Sequence, residues 1–110
     1  MQIDTATDGD LLVVSPKGRL DSNTSPMLET VLLERIAAGD TKVSVDFADV
    51  AYISSAGLRV LLMAAKRAGA GQGSVSMHAM SPEIREVFEI SGFLTILKVY
   101  PDLKAVLADR

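Results

Sequence analysis

The apolar positions of this chain change period several times, and each change marks an element. Residues 11–18, LLVVSPKG, crowd apolar and β-branched side chains between Gly9 and Gly18, which predicts a strand. Residues 2–6, QIDTA, can pair with it across Asp8-Gly9, a dipeptide suited to a hairpin turn because its glycine accepts positive φ. From Thr24 the period lengthens. Ser25 and Pro26 read as a cap and a first helical residue, and Leu28, Val31, Leu32 and Ile36 recur at helical spacing until Gly39. Residues 42–47, KVSVDF, return to alternation, with Val43, Val45 and Phe47 on one side of a strand that feeds ADVAYI.

A second helix is predicted from about Ala56 to Gly69, with Leu58, Leu61, Leu62 and Ala65 as its apolar stripe and Val60, Ala64 and Ala68 widening it. AGAGQGS, residues 68–74, then reads as a short flexible connection. SVSMHAM is a strand in which His78 alternates with Ser76 and Met80, a position expected to be half exposed. SPEIREVFEISG is a helix with Ser81 as cap, Pro82 at its first position and Gly92 past its end. ILKVY forms a last short strand, and a terminal helix carries Leu103, Val106 and Leu107. Strands and helices alternate after the hairpin. The predicted class is α/β: a small mixed sheet of four to five strands, faced by about four helices in right-handed crossovers.

A chain of 110 residues, 48% of them hydrophobic, suffices for one core, so one domain over residues 1–110 is expected. No cysteine and a single histidine leave the usual zinc ligand sets without donors, and neither a metal nor a cofactor is expected. The net charge of -3 comes with no basic cluster among interleaved aromatics, which argues against nucleic acid as a partner. The first ten residues are polar and acidic, unlike a secretory signal, and the longest apolar run, VLLMAA, falls far short of the roughly 20 residues of a spanning helix. A cytoplasmic protein without membrane insertion is the expectation.

Residues 52–62, YISSAGLRVLL, carry the candidate chemistry. Ser54 or Ser55 can cap the helix that follows, a role worth about 1 kcal/mol. The same helix end presents unpaired amides and a partial positive charge to any anion placed there. Ser55 and Gly57 supply half of a G-x-S-x-G nucleophile elbow, but Ile53 stands at the first glycine and His78 is the only histidine base, so no catalytic residue is assigned. Gly69, Gly71 and Gly73 follow a helix instead of opening one and lack G-K-[ST], which reads as a helix stop and turn and not as a phosphate loop. Ser55, Arg59, Met63 and Lys66 fall on successive turns beside the apolar stripe. That line is either a contact surface for another protein or an ordinary solvated face with Met63 in the core, and spacing leaves both open.

VDFADVAYISSAGLRVLL, residues 45–62, resembles the signature of the STAS domain family, the anti-sigma factor antagonists. GRLDSNT, residues 18–24, is similar to that family's turn from second strand to first helix, and SGF, residues 91–93, to its third-helix ending. The resemblance implies a phosphoprotein that binds a kinase-type anti-sigma factor so that a sigma factor is released, with a serine phosphatase reversing the modification and no enzymatic activity of its own. It places the phosphate acceptor at Ser55 and an acidic neighbour at Asp21. Where the family often has an aspartate before the acceptor, this chain has Ser54, which makes Ser54 a second candidate acceptor. The partner-binding residues it implies are Asp21, Ser22, Asn23, Thr24, Ser54, Ser55, Ala56 and Gly57, joined by Arg59, Met63 and Lys66 of the helical line. Two alternatives stand beside it: a STAS-like accessory subunit of a lipid or anion transporter that binds an ATPase or transport domain, and a small nucleotide-binding or hydrolytic protein.

Overall fold

The hairpin at the amino end forms as its turn predicts: β1 (Gln2–Asp8) runs antiparallel to β2 (Leu11–Leu20), and Gly9 reverses the chain with a φ of 62°. The computed structural model describes residues 1–109, so only Arg110 of the expected span lies outside the described residues. After the hairpin come α1 (Ser25–Ala37), β3 (Lys42–Asp46), β4 (Val50–Ile53), α2 (Ser55–Ala70), β5 (Ser74–His78), α3 (Pro82–Ser91), a 3-10 turn (Phe93–Thr95), β6 (Lys98–Tyr100) and α4 (Leu103–Ala108). The strands form one mixed sheet in the order β1-β2-β3-β5-β6, and β4 joins the far end of β2. Every pairing but the hairpin is parallel.

The described residues thus form six strands where the pattern predicts four to five, because residues 42–53 break into two. The Asp46 carboxylate accepts the Ala48 amide at 2.9 Å, and the Val50 amide returns to the Phe47 carbonyl at 3.1 Å. This turn lifts the chain off β3 and delivers β4 to Gly18, Arg19 and Leu20 of β2.

One face of the sheet presents Leu12, Val14, Val43, Val45, Val75 and Met77 to the buried side chains of α1, α2 and α3. The opposite face of β2, through Leu11 and Val13, meets Val106 of α4 with Leu103 and Leu107 beside it. Burial on both sides explains why residues 11–14 read as an unbroken apolar run and not as an alternation.

The stripe of α2 is turned from the expected one. Gly57, Leu58, Val60, Leu61, Ala64 and Ala68 are buried, while Leu62 and Ala65 are only half-buried. The helix packs against both the sheet and α1, and such close approach selects small residues that a hydrophobicity pattern undervalues. The glycine-rich stretch also differs from a loose connection. α2 continues through Gly69 to Ala70, and Gly73 lies hard against the Thr41 backbone, its amide donating to the Ala68 carbonyl at 2.7 Å. Around α3 the expected punctuation holds, with Ser81 Oγ accepting the Ile84 amide at 3.3 Å and Gly92 in the left-handed region at a φ of 80°.

His78 is buried, at 3% exposure, and not half exposed. Its Nδ1 lies 2.7 Å from Ser44 Oγ, Ser76 Oγ donates to Ser44 Oγ at 3.1 Å, and Nε2 stands 3.8 Å from the Asp46 carboxylate. The parallel register sets Ser44 beside Ser76 and Asp46 beside His78, so the polar atoms satisfy one another inside the sheet. Burial pushes the His78 pKa below its ordinary 6.5, with the Asp46 and Asp102 carboxylates pulling the other way. As pH falls below 6.5 the unfolded chain therefore takes up a proton that the folded chain refuses, and stability declines until the folded pKa is passed. Asp4, Asp21 and Asp109, whose pKa values are lowered from 3.8, lose their contribution only at more acid pH. Urea unfolding at pH 8, 7, 6 and 5 should show a decline confined to the acid side of this series and absent from His78→Gln. An equal slope in that variant would place the titration elsewhere.

Candidate functional site

The expected site residues from Asp21 to Thr24 and from Ser54 to Gly57 gather where β2 and β4 end side by side, and Arg59, Met63 and Lys66 run away from them along α2. Leu20 pairs with Ile53, and the Ser54 amide donates to the Leu20 carbonyl at 2.8 Å, so the two chains leave the sheet together. One enters the turn of residues 21–24 and α1, and the other enters α2.

Asp21 builds its own turn. Its carboxylate accepts the Asn23 amide at 3.0 Å and the Thr24 amide at 3.1 Å, while its amide donates to Thr24 Oγ1 at 3.0 Å. These hydrogen bonds, from Thr24 first and then Asn23, hold the Asp21 carboxyl below the usual carboxylate range, with the Arg19 guanidinium 3.8 Å away adding to the effect. Arg19 also lies 4.1 Å over the exposed Tyr52 ring, tying β2 to β4 on the outer surface. The turn makes Thr24 the residue before α1 and Ser25 its first helical residue, so the cap falls on Thr24 and the helix starts one position earlier than expected.

On the other strand Ser54 precedes α2 in an extended conformation, as a capping residue should, but its hydroxyl makes no capping hydrogen bond. Ser54 Oγ is buried without a partner among the described residues, and so is Ser25 Oγ. Ser55 follows as the first residue of α2 and is exposed. Gly57, one turn in, is what allows the helix to sit there: a Cβ on it would stand 2.8 Å from Ile53 Cγ1 and 3.2 Å from Leu20 Cβ. Close contact of the helix with the ends of both strands thus sets where Ser55 is held.

Ser22, Asn23, Ser55, Arg59 and Lys66 are exposed, Asp21, Thr24, Ser54, Ala56 and Met63 are half-buried, and Gly57 is buried. Lys66 stands about 16 Å along the axis from Ser55 at 1.5 Å per residue, so the line spans most of α2. A groove of about 270 Å³ separates α1 from α2, and Ser22, Ser25, Ala56, Arg59 and Met63 contribute to its walls. Met63 is therefore neither free surface nor core. The groove and the unpartnered Ser25 hydroxyl are not visible in the sequence, since a serine before a proline at a helix start reads as a cap whichever way its hydroxyl points. His78 is occupied with Ser44 and Asp46, and no hydrogen bond joins it to Ser54 or Ser55. Among the described residues no group of three acidic, cysteine or histidine side chains could hold a metal, and no helix is long and apolar enough to cross a membrane.

Residues 3–98 match a family model described as Mlab, STAS domain. The chain belongs to the STAS domain family. Among STAS relatives, BtrV of Bordetella bronchiseptica, classed by name with the anti-sigma factor antagonists, is 39% identical over 98 residues, covering 89% of this chain and 84% of its own. A Thermotoga maritima protein carrying the same class name has the same fold at a TM-score of 0.93 and 16% identity, over 97% of this chain and 92% of that one. The Bacillus cell fate determinant SpoIIAA, solved in its phosphorylated form, superposes at a TM-score of 0.75 and 20% identity, over 99% of this chain and all of its own (100%). The mixed sheet with its helices is thus the STAS architecture.

Proposed function

We propose that this STAS protein is an anti-sigma factor antagonist of a partner-switching pathway. Its unmodified form binds a kinase-type anti-sigma factor through residues 21–24, the start of α2 and the Arg59–Met63–Lys66 line, and phosphorylation of Ser55 ends that binding. The observation that carries the reading is the exposed Ser55 at the first residue of α2, beside the ordered 21–24 turn, in a chain so similar to BtrV. In the transfer, Ser55 Oγ bonds to the γ-phosphorus of ATP held by the kinase, the bond to the departing ADP oxygen breaks, and the hydroxyl proton passes to a base of the kinase. The burial of Ser54 Oγ favours Ser55 over Ser54 as acceptor. A serine phosphatase hydrolyses the ester and restores binding. The chain itself acts by binding in the cytoplasm and needs no catalytic group.

Phosphorylation adds about -1.5 to -2 charge. At a helix amino end the fold tolerates it, whereas inside a complementary interface it must be desolvated against the partner. With the anti-sigma factor and ATP, mass spectrometry should find one phosphoryl group, absent in Ser55→Ala and retained in Ser54→Ala. Calorimetry should then show the phosphoprotein binding at least about tenfold more weakly, or ~1.4 kcal/mol, than the unmodified chain. Equal affinities would overturn the switch. A chain that no such kinase modifies, and that instead binds a transporter ATPase or transport domain, would be an accessory subunit.

A further inference from the structure

The amino end of α2 holds more donors than the fold uses. The Leu58 amide is the first of the helix to be satisfied, donating to the Ser54 carbonyl at 3.0 Å, which leaves the amides of Ser55, Ala56 and Gly57 without a partner among the described residues. The groove beside them is walled on the α1 side by Ser25, whose hydroxyl is unpartnered although the residue is only 1% exposed. A buried hydroxyl left unsatisfied costs stability and calls for an explanation, such as a bound ion or an ordered water. Arg59 stands on the α2 side of the groove, and its guanidinium is in no ion pair with a described residue. Amides at a helix start, a hydroxyl and a guanidinium together make the donor set of a tetrahedral oxyanion. One group opposes it: the Glu29 carboxylate, half-buried on the same groove.

We propose that this groove is the seat of a phosphoryl group esterified to Ser55, held by Arg59, the Ser25 hydroxyl and the open amides of α2. Arg59 follows Ser55 by one helical turn, the spacing at which side chains on a helix meet. The seat deepens the switch reading and rests on Ser55 as its acceptor. It also assigns the Ser25 hydroxyl, which the unmodified chain leaves idle, to the modified state. Phosphorylation then does more than add repulsive charge. It closes the α1–α2 groove around an anion and removes Arg59 from the surface offered to a partner.

The test needs no kinase and no anti-sigma factor, so its failure is separable from that of the partner reading. Phosphoserine is installed at position 55 during translation, and its phosphorus resonance is followed against pH. A seated phosphoryl group should lose its second proton below the ordinary pKa of about 6, since its donors favour the dianion. Arg59→Gln and Ser25→Ala should move that ionisation back up, and Glu29→Gln should move it further down. In the second arm, inorganic phosphate added to the unmodified chain should shift the Ser25, Ala56 and Gly57 amide resonances, and should fail to do so in the phosphorylated chain, where the seat is filled. Ordinary titration of the phosphoserine, unmoved by Arg59→Gln, would overturn the proposal. So would inorganic phosphate binding equally to both forms, which would give the groove to a free anion.

Discussion

Gly73→Ala should unfold the chain under conditions where the parent is stable. A methyl group there would collide with the Thr41 carbonyl oxygen and stand 2.7 Å from its carbon, against the roughly 3.5 Å at which carbon atoms rest in contact. The obstacle is backbone, so no rotamer change relieves it. Nor can Thr41 retreat cheaply, because its carbonyl accepts the Ser74 amide at 2.7 Å where β5 starts beside β3. The cost should exceed the ~1–3 kcal/mol usual for overpacked sites, in a domain whose total stability is about 5–15 kcal/mol. Gly69→Ala is the internal control. It lies four residues away inside α2 with open space around it, and should stabilise by up to about 1 kcal/mol through helix propensity. Urea midpoints of the two variants should move in opposite directions. An unchanged midpoint for Gly73→Ala would mean that the Thr41 approach does not exist in solution.

Phe88→Ala should cost about 3–5 kcal/mol. Phe88 is fully buried and meets Phe47 edge-on, with ring centroids 5.9 Å apart and planes at 84°. Only Ile84 and Phe88 are buried along α3, so this one side chain supplies most of that helix's anchorage. Removing it leaves a cavity against Phe47 at the end of β3, next to the turn that redirects the chain into β4. Denaturant unfolding should show the loss, and Phe88→Leu, which refills part of the volume, should recover a share of it. If Phe88→Ala cost less than about 1 kcal/mol, α3 would have to be held by contacts other than its buried face.

The candidate site was legible in part. Ser54, Ser55 and Gly57 stand out because a hydroxyl pair and a glycine at the start of an apolar helical run are unusual, and the resemblance of residues 18–24 and 45–62 to one family ties Asp21 to Ser55. Backbone conformation and chain separation hid the rest. That Asp21 spends its carboxylate on the Asn23 and Thr24 amides depends on local backbone geometry, and that Ser25 and Arg59 share a groove depends on how α1 leans on α2.

By itself the sequence determined the order and type of the elements, since alternation, helical spacing and glycine or proline punctuation act over a few neighbouring residues. The hairpin at Gly9, the cap at Ser81 and the stop at Gly92 belong to that class. Tertiary structure alone decided which positions lie inside. His78 is covered because β5 sits between β3 and β6, with Ser44 and Asp46 on the neighbouring strand to receive its ring. Gly57 replaces Leu62 on the buried stripe of α2 because the helix rests on Leu20 and Ile53, and the separation of β4 from β3 follows from its partnership with β2. Each of these outcomes depends on which element covers which face, a matter of packing between segments distant in the chain.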